Sequence, residues 1–271
     1  MQRFLILNPR SGSDSPTPDE LRAAAEERGI TVHVLQDGDD LPQVAREAKA
    51  DVLGMAGGDG SLAAVAEVAI AQDVPFVVVP FGTRNHFARD LGLDRDDPVA
   101  ALAAFDEGVE RRVDVGRVGE RLFLNNVSLG IYARLVHRRE HHRRRRDALA
   151  RLRAILVTLK DRRRLQRFTI DGEHVRARLV LVANNDYALD LLSLGERERL
   201  DEGLLHLYIP HGFRRITWDE RTCTHLEIGS PLPRARTAID GEPVELDIPL
   251  ELRIEPLALR VLLPREATVS E

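Results

Sequence analysis

The sequence predicts an α/β nucleotide-binding domain, with a parallel sheet and flanking helices, followed by a mainly antiparallel β-sandwich domain. Up to about residue 112, short apolar runs alternate with helical patterns, as in parallel sheets with right-handed crossovers. Beyond that point, short strands flank Gly119-Glu120 and Asp171-Gly172, and such dipeptides are typical of hairpin turns. The chain of 271 residues is long enough for two domains. We therefore predict domains at 1–112 and 113–271.

Composition narrows the class of protein. Hydrophobic residues make up 43% of the chain and charged residues 31%, which is typical of a globular protein. The single cysteine, Cys223, excludes an internal disulfide and indicates a reducing compartment. No apolar run reaches the ~18 residues of a membrane-spanning helix, and no signal peptide is recognisable. We expect a cytoplasmic protein.

The first domain is predicted from its apolar runs and helix caps. Thr17 can cap a helix with Pro18 in its first turn, and Glu20 completes a capping box. Gly29 ends that helix. The predicted strands are Arg3–Leu7, Thr31–Leu35, Val52–Ala56 and Pro75–Val79, and the predicted helices are 18–28, Leu41–Lys49, Leu62–Ala71, His86–Leu91 and Pro98–Glu107.

The second domain is predicted as a series of short strands with turns between them. This pattern is typical of an antiparallel sandwich. The predicted strands are Val113–Arg117, Leu122–Val127, Phe168–Ile170, Val175–Ala183, Leu204–Ile209, Thr224–Ile228, Ala235–Ile239, Val244–Asp247, Leu250–Ile254 and Leu257–Leu263.

Three loops rich in small or amide residues follow strands of the first domain: Asn8–Gly12, Gly57–Ser61 and Gly82–Asn85. Because ligands of parallel sheets bind beyond the carboxyl ends of the strands, we expect these loops to converge on one crevice. Glycine allows close approach of backbone N–H groups to an anion, and a helix N-terminus favours negative charge. A phosphate site is therefore predicted. Taken alone, Gly57–Ser61 also fits a tight turn without a ligand.

A basic stretch, residues 134–167, interrupts the second domain. It holds fourteen Arg or Lys residues against three carboxylates, although the net charge of the chain is −5. Leu149, Leu152, Ile155, Leu156 and Leu159 fall on one helical face. The segment fits a helix resting on an anionic membrane surface, and equally a helix packed on the sandwich with a solvated basic face. We do not expect nucleic acid as a partner, because the stretch has no aromatic residues to stack on bases.

Six short motifs follow one another along nearly the whole chain. They are Asn8-Pro9-Arg10-Ser11-Gly12, Gly57-Gly58-Asp59-Gly60-Ser61, Pro80-Phe81-Gly82-Thr83-Arg84-Asn85-His86-Phe87-Ala88-Arg89, Val182-Ala183-Asn184-Asn185, Leu200-Asp201-Glu202-Gly203-Leu204-Leu205 and Asp240-Gly241-Glu242. In these motifs and their order the chain resembles the bacterial diacylglycerol-kinase-like lipid kinases, whose catalytic domain is shared with sphingosine kinases. The resemblance implies ATP as phosphoryl donor and a lipid hydroxyl as acceptor.

The resemblance also implies roles for individual residues. Glu242 would be the catalytic residue, with Asp240 beside it. A metal at the Asp-Glu-Gly turn would take a carboxylate from Glu202 and backbone oxygens from Arg199 and Leu204. The implied ATP contacts are Asn8, Pro9, Arg10, Ser11, Gly12, Gln36, Gly57, Gly58, Asp59, Gly60, Ser61, Gly82, Thr83 and Asn85.

Magnesium is the expected second cofactor. Phosphoryl transfer needs cations around the phosphates and a carboxylate that accepts the alcohol proton. Asp59 can hold Mg²⁺, which prefers oxygen ligands, and Asp114 corresponds to an aspartate of the family's metal–water network.

Three positions depart from the family pattern: Ala63 and Ala64 replace Asn-Glu, and His86 replaces an aspartate. These departures keep two alternatives open, namely a nucleotide-binding protein without catalytic activity and a kinase of a soluble substrate such as NAD. The sequence also leaves a homodimer open.

Overall fold

The computed structural model describes residues 1–12, 16–82, 85–130, 165–188, 196–211 and 217–265. The chain forms two compact units. The first comprises Met1–Val115, Ala188–Glu202 and Pro256–Glu271, and the second comprises Gly116–Tyr187 and Gly203–Glu255. These units differ from the contiguous halves 1–112 and 113–271, because two later segments of the chain return to the first unit.

Alternating strands and helices build the first unit. In chain order they are β1 (Arg3–Leu7), α1 (Pro18–Glu27), β2 (Thr31–Val34), α2 (Leu41–Glu47), β3 (Val52–Gly57), α3 (Asp59–Gln72), β4 (Phe76–Pro80), α4 (His86–Asp90), a 3₁₀ helix (Ala100–Ala103), α5 (Ala104–Glu107) and β5 (Val109–Val118). Strands β2, β1, β3 and β4 lie side by side and parallel. The predicted capping box of α1 is present, since Thr17 and Glu20 bond reciprocally.

Close packing on the parallel sheet explains one of its glycines. Strands β3 and β4 are buried throughout. A Cβ at Gly54 would lie 2.4 Å from Cζ of Phe105, a fully buried ring of α5. Only glycine lets this ring rest directly on the strand, so Gly54 serves the core rather than a ligand.

Antiparallel strands build the second unit, to which the last of them contributes only its residues up to Glu255. They are β6 (Arg121–Phe123), β7 (Asn126–Gly130), β8 (Gln166–Ile170), β9 (Glu173–Ala177), β10 (Leu179–Asn184), β11 (Leu205–His211), β12 (Thr217–Cys223), β13 (His225–Gly229), β14 (Arg234–Ile239), β15 (Glu242–Asp247) and β16 (Leu250–Leu263). One sheet has the order β12-β11-β10-β7-β14-β15, and the first half of β16 pairs with β13, which continues to β8 and β9.

The core of the second unit lies between these two layers of strands. Alternate residues of β10 and β11, such as Val182 and Leu207, pack with Ile228 of β13 and Leu252 of β16. The predicted fold class, an α/β domain followed by an antiparallel β-sandwich domain, is therefore confirmed.

Four strand predictions are wrong in detail. The predicted strand Leu122–Val127 is two strands in different sheets, because β6 ends at Phe123 and β7 begins at Asn126. The predicted strand Val175–Ala183 is two strands in different sheets, because β9 ends at Ala177 and β10 begins at Leu179. Leu250–Ile254 and Leu257–Leu263 form the single strand β16, in which Leu257 has a φ of 52°. Strand β12 was not predicted.

The basic stretch 134–167 lies outside the described residues except for its last three. Its predicted helix and its two interpretations stay predictions. Within the described ranges, no helix combines the length and apolar character that crossing a bilayer requires.

Candidate active site

The three predicted loops of the first unit lie together. Asn8 Nδ2 is 3.4 Å from Ser61 Oγ. A Cβ at Gly82 would lie 2.8 Å from the Cα of Gly58, and a Cβ at Gly12 would lie 2.2 Å from the ring of Phe81. The loops after β1, β3 and β4 therefore touch one another at the carboxyl edge of the sheet, where such sheets bind ligands.

The glycine loop opens helix α3 without a side-chain cap. Gly58 is the N-cap residue, and its carbonyl oxygen accepts the first helical bonds, from Ser61 at 2.9 Å and from Leu62 at 3.1 Å. The N–H groups of Asp59 and Gly60 come before these bonds, in the turn that has no intrahelical acceptors. A helix of 14 residues thus presents backbone donors and the positive end of its dipole, which is an arrangement that binds anions.

Asp59 joins the glycine loop to the next loop. Its side chain is buried, and its two carboxylate oxygens accept the N–H groups of His86 at 3.2 Å and Phe87 at 3.1 Å. A carboxylate at a helix start is favourable because it satisfies otherwise unpaired donors. Asp59 therefore fixes the start of α4 against α3. Its predicted metal contact would use lone pairs that these bonds leave.

Asn85 lies between the loop after β4 and helix α4. Its φ is 45°, a left-handed conformation that asparagine tolerates better than most residues. The side chain is 2% exposed, and Nδ2 donates to the Gly82 carbonyl at 2.8 Å. Oδ1 is buried and receives no hydrogen bond from the described part of the chain. A buried acceptor that receives no hydrogen bond from these residues favours binding of a ligand that donates one. Thr83, also predicted here, lies outside the described residues.

Gln36 follows β2 at the same edge of the sheet. Its N–H donates to Asp39 Oδ2 at 2.9 Å, and its Nε2 donates to the Val34 carbonyl at 2.9 Å. The hydrogen bond from the Gln36 N–H and, to a smaller extent, the one with the His33 side chain hold the pKa of the Asp39 carboxyl below its usual value. Gln36 is thus rigidly placed, but its side-chain amide nitrogen is occupied by its own strand. Arg10 reaches the same loop through an ion pair with Asp37.

Asp114 is a buried carboxylate of the first unit, with 1% exposure. Its Oδ1 accepts the Leu257 N–H at 2.8 Å, and its own N–H donates to the Leu200 carbonyl at 2.7 Å. Asp114 therefore lies beside the turn that begins at Arg199. The Arg199 side chain pairs with Asp201 at 3.1 Å. The predicted metal ligand is the backbone carbonyl oxygen of Arg199, which this ion pair does not involve.

The other predicted oxygens of that turn belong to Glu202 and Leu204. Glu202 is partly exposed, as a carboxylate ligand of a hydrated cation is expected to be. The Leu204 carbonyl, in the second unit, accepts the Asn185 N–H at 3.0 Å. It would need its second lone pair for a metal.

Asp240 holds a turn of the second unit in place. Its carboxylate accepts three backbone N–H groups, from Leu124 at 2.8 Å, Asn125 at 2.7 Å and Asn126 at 3.0 Å. Its own N–H donates to the Asn126 carbonyl at 2.9 Å. A carboxylate with three backbone donors is stabilised as the anion. This geometry favours a positioning role over proton transfer.

Glu242 is placed by the hairpin that Asp240 and Gly241 form. Asp240 and Gly241 have φ values of 48° and 83°, as a tight primed turn requires. Glu242 begins β15, pairs with Ile239 and is exposed. Its carboxylate accepts no hydrogen bond from the described residues, unlike that of Asp240. Of the two predicted catalytic residues, Glu242 is the one whose oxygens remain available to a substrate.

A buried ion pair was not predicted from the sequence. Arg197 Nε lies 2.7 Å from Asp90 Oδ2, with side-chain exposures of 0% and 1%, and the guanidinium lies 6.0 Å from the centre of the Phe87 ring. Arg89 also pairs with Asp90, at 2.6 Å. The pair fastens α4, whose start Asp59 holds, to the segment before the Glu202 turn. Nothing in the spacing of these residues signals the contact.

A glycine turn at a helix N-terminus beyond a parallel strand is the arrangement of phosphate-binding α/β proteins. Residues 2–118 match the family model of the diacylglycerol kinase catalytic domain. A diacylglycerol kinase of Mycobacterium tuberculosis is 26% identical over 96% of this chain and 94% of its own length. A probable lipid kinase of Pseudomonas aeruginosa is 35% identical over 47% of this chain and 43% of its own.

Solved structures show a similar fold over 98% of the chain. A putative diacylglycerol kinase from Bacillus anthracis superposes with a TM-score of 0.74 at 18% identity, covering 98% of each chain. A diacylglycerol kinase from the same organism gives 0.69 at 17% identity with the same coverage. The predicted resemblance to diacylglycerol-kinase-like lipid kinases is therefore confirmed. At the level of the family, these relatives support a lipid kinase.

Proposed function

We propose that this protein transfers the γ-phosphoryl group of ATP to the hydroxyl of a diacylglycerol-like lipid, with Mg²⁺ as cofactor. The observation that carries the proposal is the uncapped N-terminus of α3 at Gly58, within residues that match the diacylglycerol kinase catalytic domain.

The loops of the first unit fit the phosphates of ATP. Backbone donors at Asp59 and Gly60 supply positive charge without a side chain, and a Cβ at Gly58 would meet nothing within 4 Å, which is the open space that an anion needs. The side chains of Asn8 and Ser61, which lie 3.4 Å apart, add polar groups to these loops. The buried Oδ1 of Asn85 offers an acceptor to a nucleotide hydroxyl or amine.

The oxygen donors of the first unit fit magnesium. Asp59, Asp114 and Glu202 supply carboxylates and Arg199 a carbonyl, and hard cations prefer such ligands. When bound, Mg²⁺ neutralises phosphate charge during transfer. The chain's own part is to keep these carboxylates in place, and the backbone bonds accepted by Asp59 and Asp114 do so.

Glu242 is proposed as the general base. It would accept the proton of the lipid hydroxyl as the oxygen attacks the γ-phosphorus, while the bond from this phosphorus to the bridging oxygen breaks and ADP leaves. Asp240 keeps its three backbone donors and holds the hairpin from which Glu242 projects. The roles of the two carboxylates are therefore separate.

The test compares Glu242→Gln with Glu245→Gln, since both are exposed residues of β15. Labelled ATP is supplied with mixed micelles of diacylglycerol, and product and ATP affinity are both measured. We expect no product from Glu242→Gln with ATP affinity unchanged, and normal turnover from Glu245→Gln. Full turnover by the Glu242→Gln variant would show that Glu242 is not the general base.

Ala63, Ala64 and His86 favour a second candidate, a nucleotide-binding protein without catalysis. ATP binding by the unaltered chain, with no product across a panel of lipids, would support that candidate. Product formed from NAD but from no lipid would instead support a kinase of a soluble substrate.

Peripheral contact with an anionic membrane on the cytoplasmic side remains a proposal based on the basic stretch 134–167. Replacing Arg143–Arg146 with Gln should reduce sedimentation with vesicles that contain anionic lipid, because each basic residue near the surface adds roughly 1 kcal/mol. Unchanged sedimentation would favour the packed helix. The same preparation run on a sizing column tests the homodimer.

A further inference from the structure

Three metal-ligating side chains meet in the second unit, and none of them is among the residues assigned to ATP or magnesium. They are Asp186, which follows β10, His206 of β11 and Glu220 of β12, and their ligand atoms all lie within 4.8 Å of one another. His206 is buried, whereas Asp186 and Glu220 are about half exposed. The group thus has a fixed imidazole with two carboxylates on its solvent side.

The distances match those between ligands of one metal ion. His206 Nδ1 lies 3.1 Å from Glu220 Oε1 and 3.6 Å from Asp186 Oδ1. Ligands bound at 2.0–2.1 Å in a tetrahedral site lie about 3.3 Å apart. Without a metal, the same atoms form a hydrogen bond between imidazole and carboxylate, so a cation would replace a proton without moving the strands.

The surrounding residues hold these ligands as second-sphere groups do in known metal sites. Tyr208 Oη donates to Asp186 Oδ1 at 2.6 Å and accepts the Tyr187 N–H at 2.9 Å. The rings of His206 and Tyr208 stack with their centres 6.0 Å apart, and Trp218 packs edge-on against Tyr208. Asp186 and His206 are therefore oriented by a rigid aromatic group, which is unnecessary for a purely solvated ion pair.

We propose that Asp186, His206 and Glu220 bind a divalent d-block cation of the zinc type, leaving a further coordination position open to water. One imidazole with two carboxylates suits zinc, whereas magnesium prefers oxygen ligands alone. This chemistry separates the site from the all-oxygen set proposed for magnesium. The proposal is independent of kinase activity.

The experiment uses the full chain, freed of metal with a chelator and dialysed against Zn²⁺ with magnesium in hundredfold excess. Bound zinc is counted by mass spectrometry, and Co²⁺ absorption reports an imidazole-containing site. The variants are Glu220→Gln and Asp186→Asn, both at exposed positions, so that neither depends on a buried change. Asp219→Asn is the control, because it neighbours Glu220 on β12 and successive strand residues point to opposite faces.

We expect zinc affinity to fall at least tenfold in Glu220→Gln and Asp186→Asn and to remain unchanged in Asp219→Asn. The Co²⁺ spectrum should disappear in the same two variants. Zinc uptake that is equal in all four proteins, or that magnesium abolishes, would overturn the proposal. Loss of lipid phosphorylation would not bear on it, since zinc binding is read directly.

Discussion

The change of Asp240 to Asn tests whether this carboxylate is chiefly a structural clamp. Asp240 Oδ1 accepts two backbone N–H groups and Oδ2 accepts one. Asparagine keeps one oxygen, but its NH₂ group would face the Leu124 N–H, so that donor would meet a donor. The loss comprises one charge-assisted bond, worth about 1.5–3 kcal/mol, and weaker bonds to the remaining oxygen. We expect the free energy of unfolding to fall by about 3 kcal/mol.

The matched control is Asp171→Asn. Asp171 occupies the same place in the hairpin between β8 and β9, with a φ of 48°. Its carboxylate accepts one backbone N–H, from Glu227 at 2.8 Å, which an asparagine oxygen can still accept. The expected loss is therefore at most about 1 kcal/mol.

Urea unfolding followed by tryptophan fluorescence gives the measurement. The single tryptophan, Trp218, lies in β12 and so reports the unit that contains both hairpins. Free energies of unfolding that agree within about 0.5 kcal/mol for the two variants would refute the structural role of the Asp240 carboxylate. Turnover by Asp240→Asn, with the pH profile of the unaltered protein, would further separate positioning from proton transfer.

Two other substitutions test the packing around the loops of the first unit. Gly82→Ala should lower the free energy of unfolding by about 1–3 kcal/mol, because the added Cβ would lie 2.8 Å from the Cα of Gly58. The control is Gly58→Ala, whose Cβ would meet no atom within 4 Å, so its stability should change by less than about 0.5 kcal/mol. Similar unfolding midpoints for the two variants would contradict the contact. Asp90→Asn should lower the free energy of unfolding by about 3–5 kcal/mol, because it removes a carboxylate from the buried guanidinium of Arg197. The exposed control Asp96→Asn should change stability very little. A small loss for Asp90→Asn in thermal unfolding would mean that water reaches Arg197.

Local signals predicted most of the fold. The reciprocal bonds of Thr17 and Glu20 depend on residues three apart, and the turns at Asp171 and Asp240 depend on two adjacent residues. The break between β9 and β10 was missed because apolar residues continue to alternate across Arg178. Strand β12 was missed because it is mostly exposed and polar, so it lacks the periodic apolar face from which strands are recognised.

The loops of the candidate site could be predicted from local sequence patterns, whereas its hydrogen bonds and ion pairs could not. The loops at Gly58 and Gly82 follow parallel strands, and parallel topology alone brings them together. The donors to Asp240 come from Leu124, Asn125 and Asn126, more than a hundred residues earlier. The ion pair of Asp90 with Arg197 is equally remote along the chain. Such contacts depend on tertiary structure, so no local pattern carries them.

Strand β16 has a consequence for folding during synthesis. Near its end, Val261 and Leu262 pair with Phe76 and Val77 of β4, although the other strands of that parallel sheet come from the first eighty residues. Until Val261 and Leu262 emerge from the ribosome, β4 remains an open apolar edge, which is a template for aggregation. Pairing at such sequence separation is slow. Newly made chains should therefore depend on chaperones, and their yield should rise when the temperature is lowered, because hydrophobic association weakens on cooling.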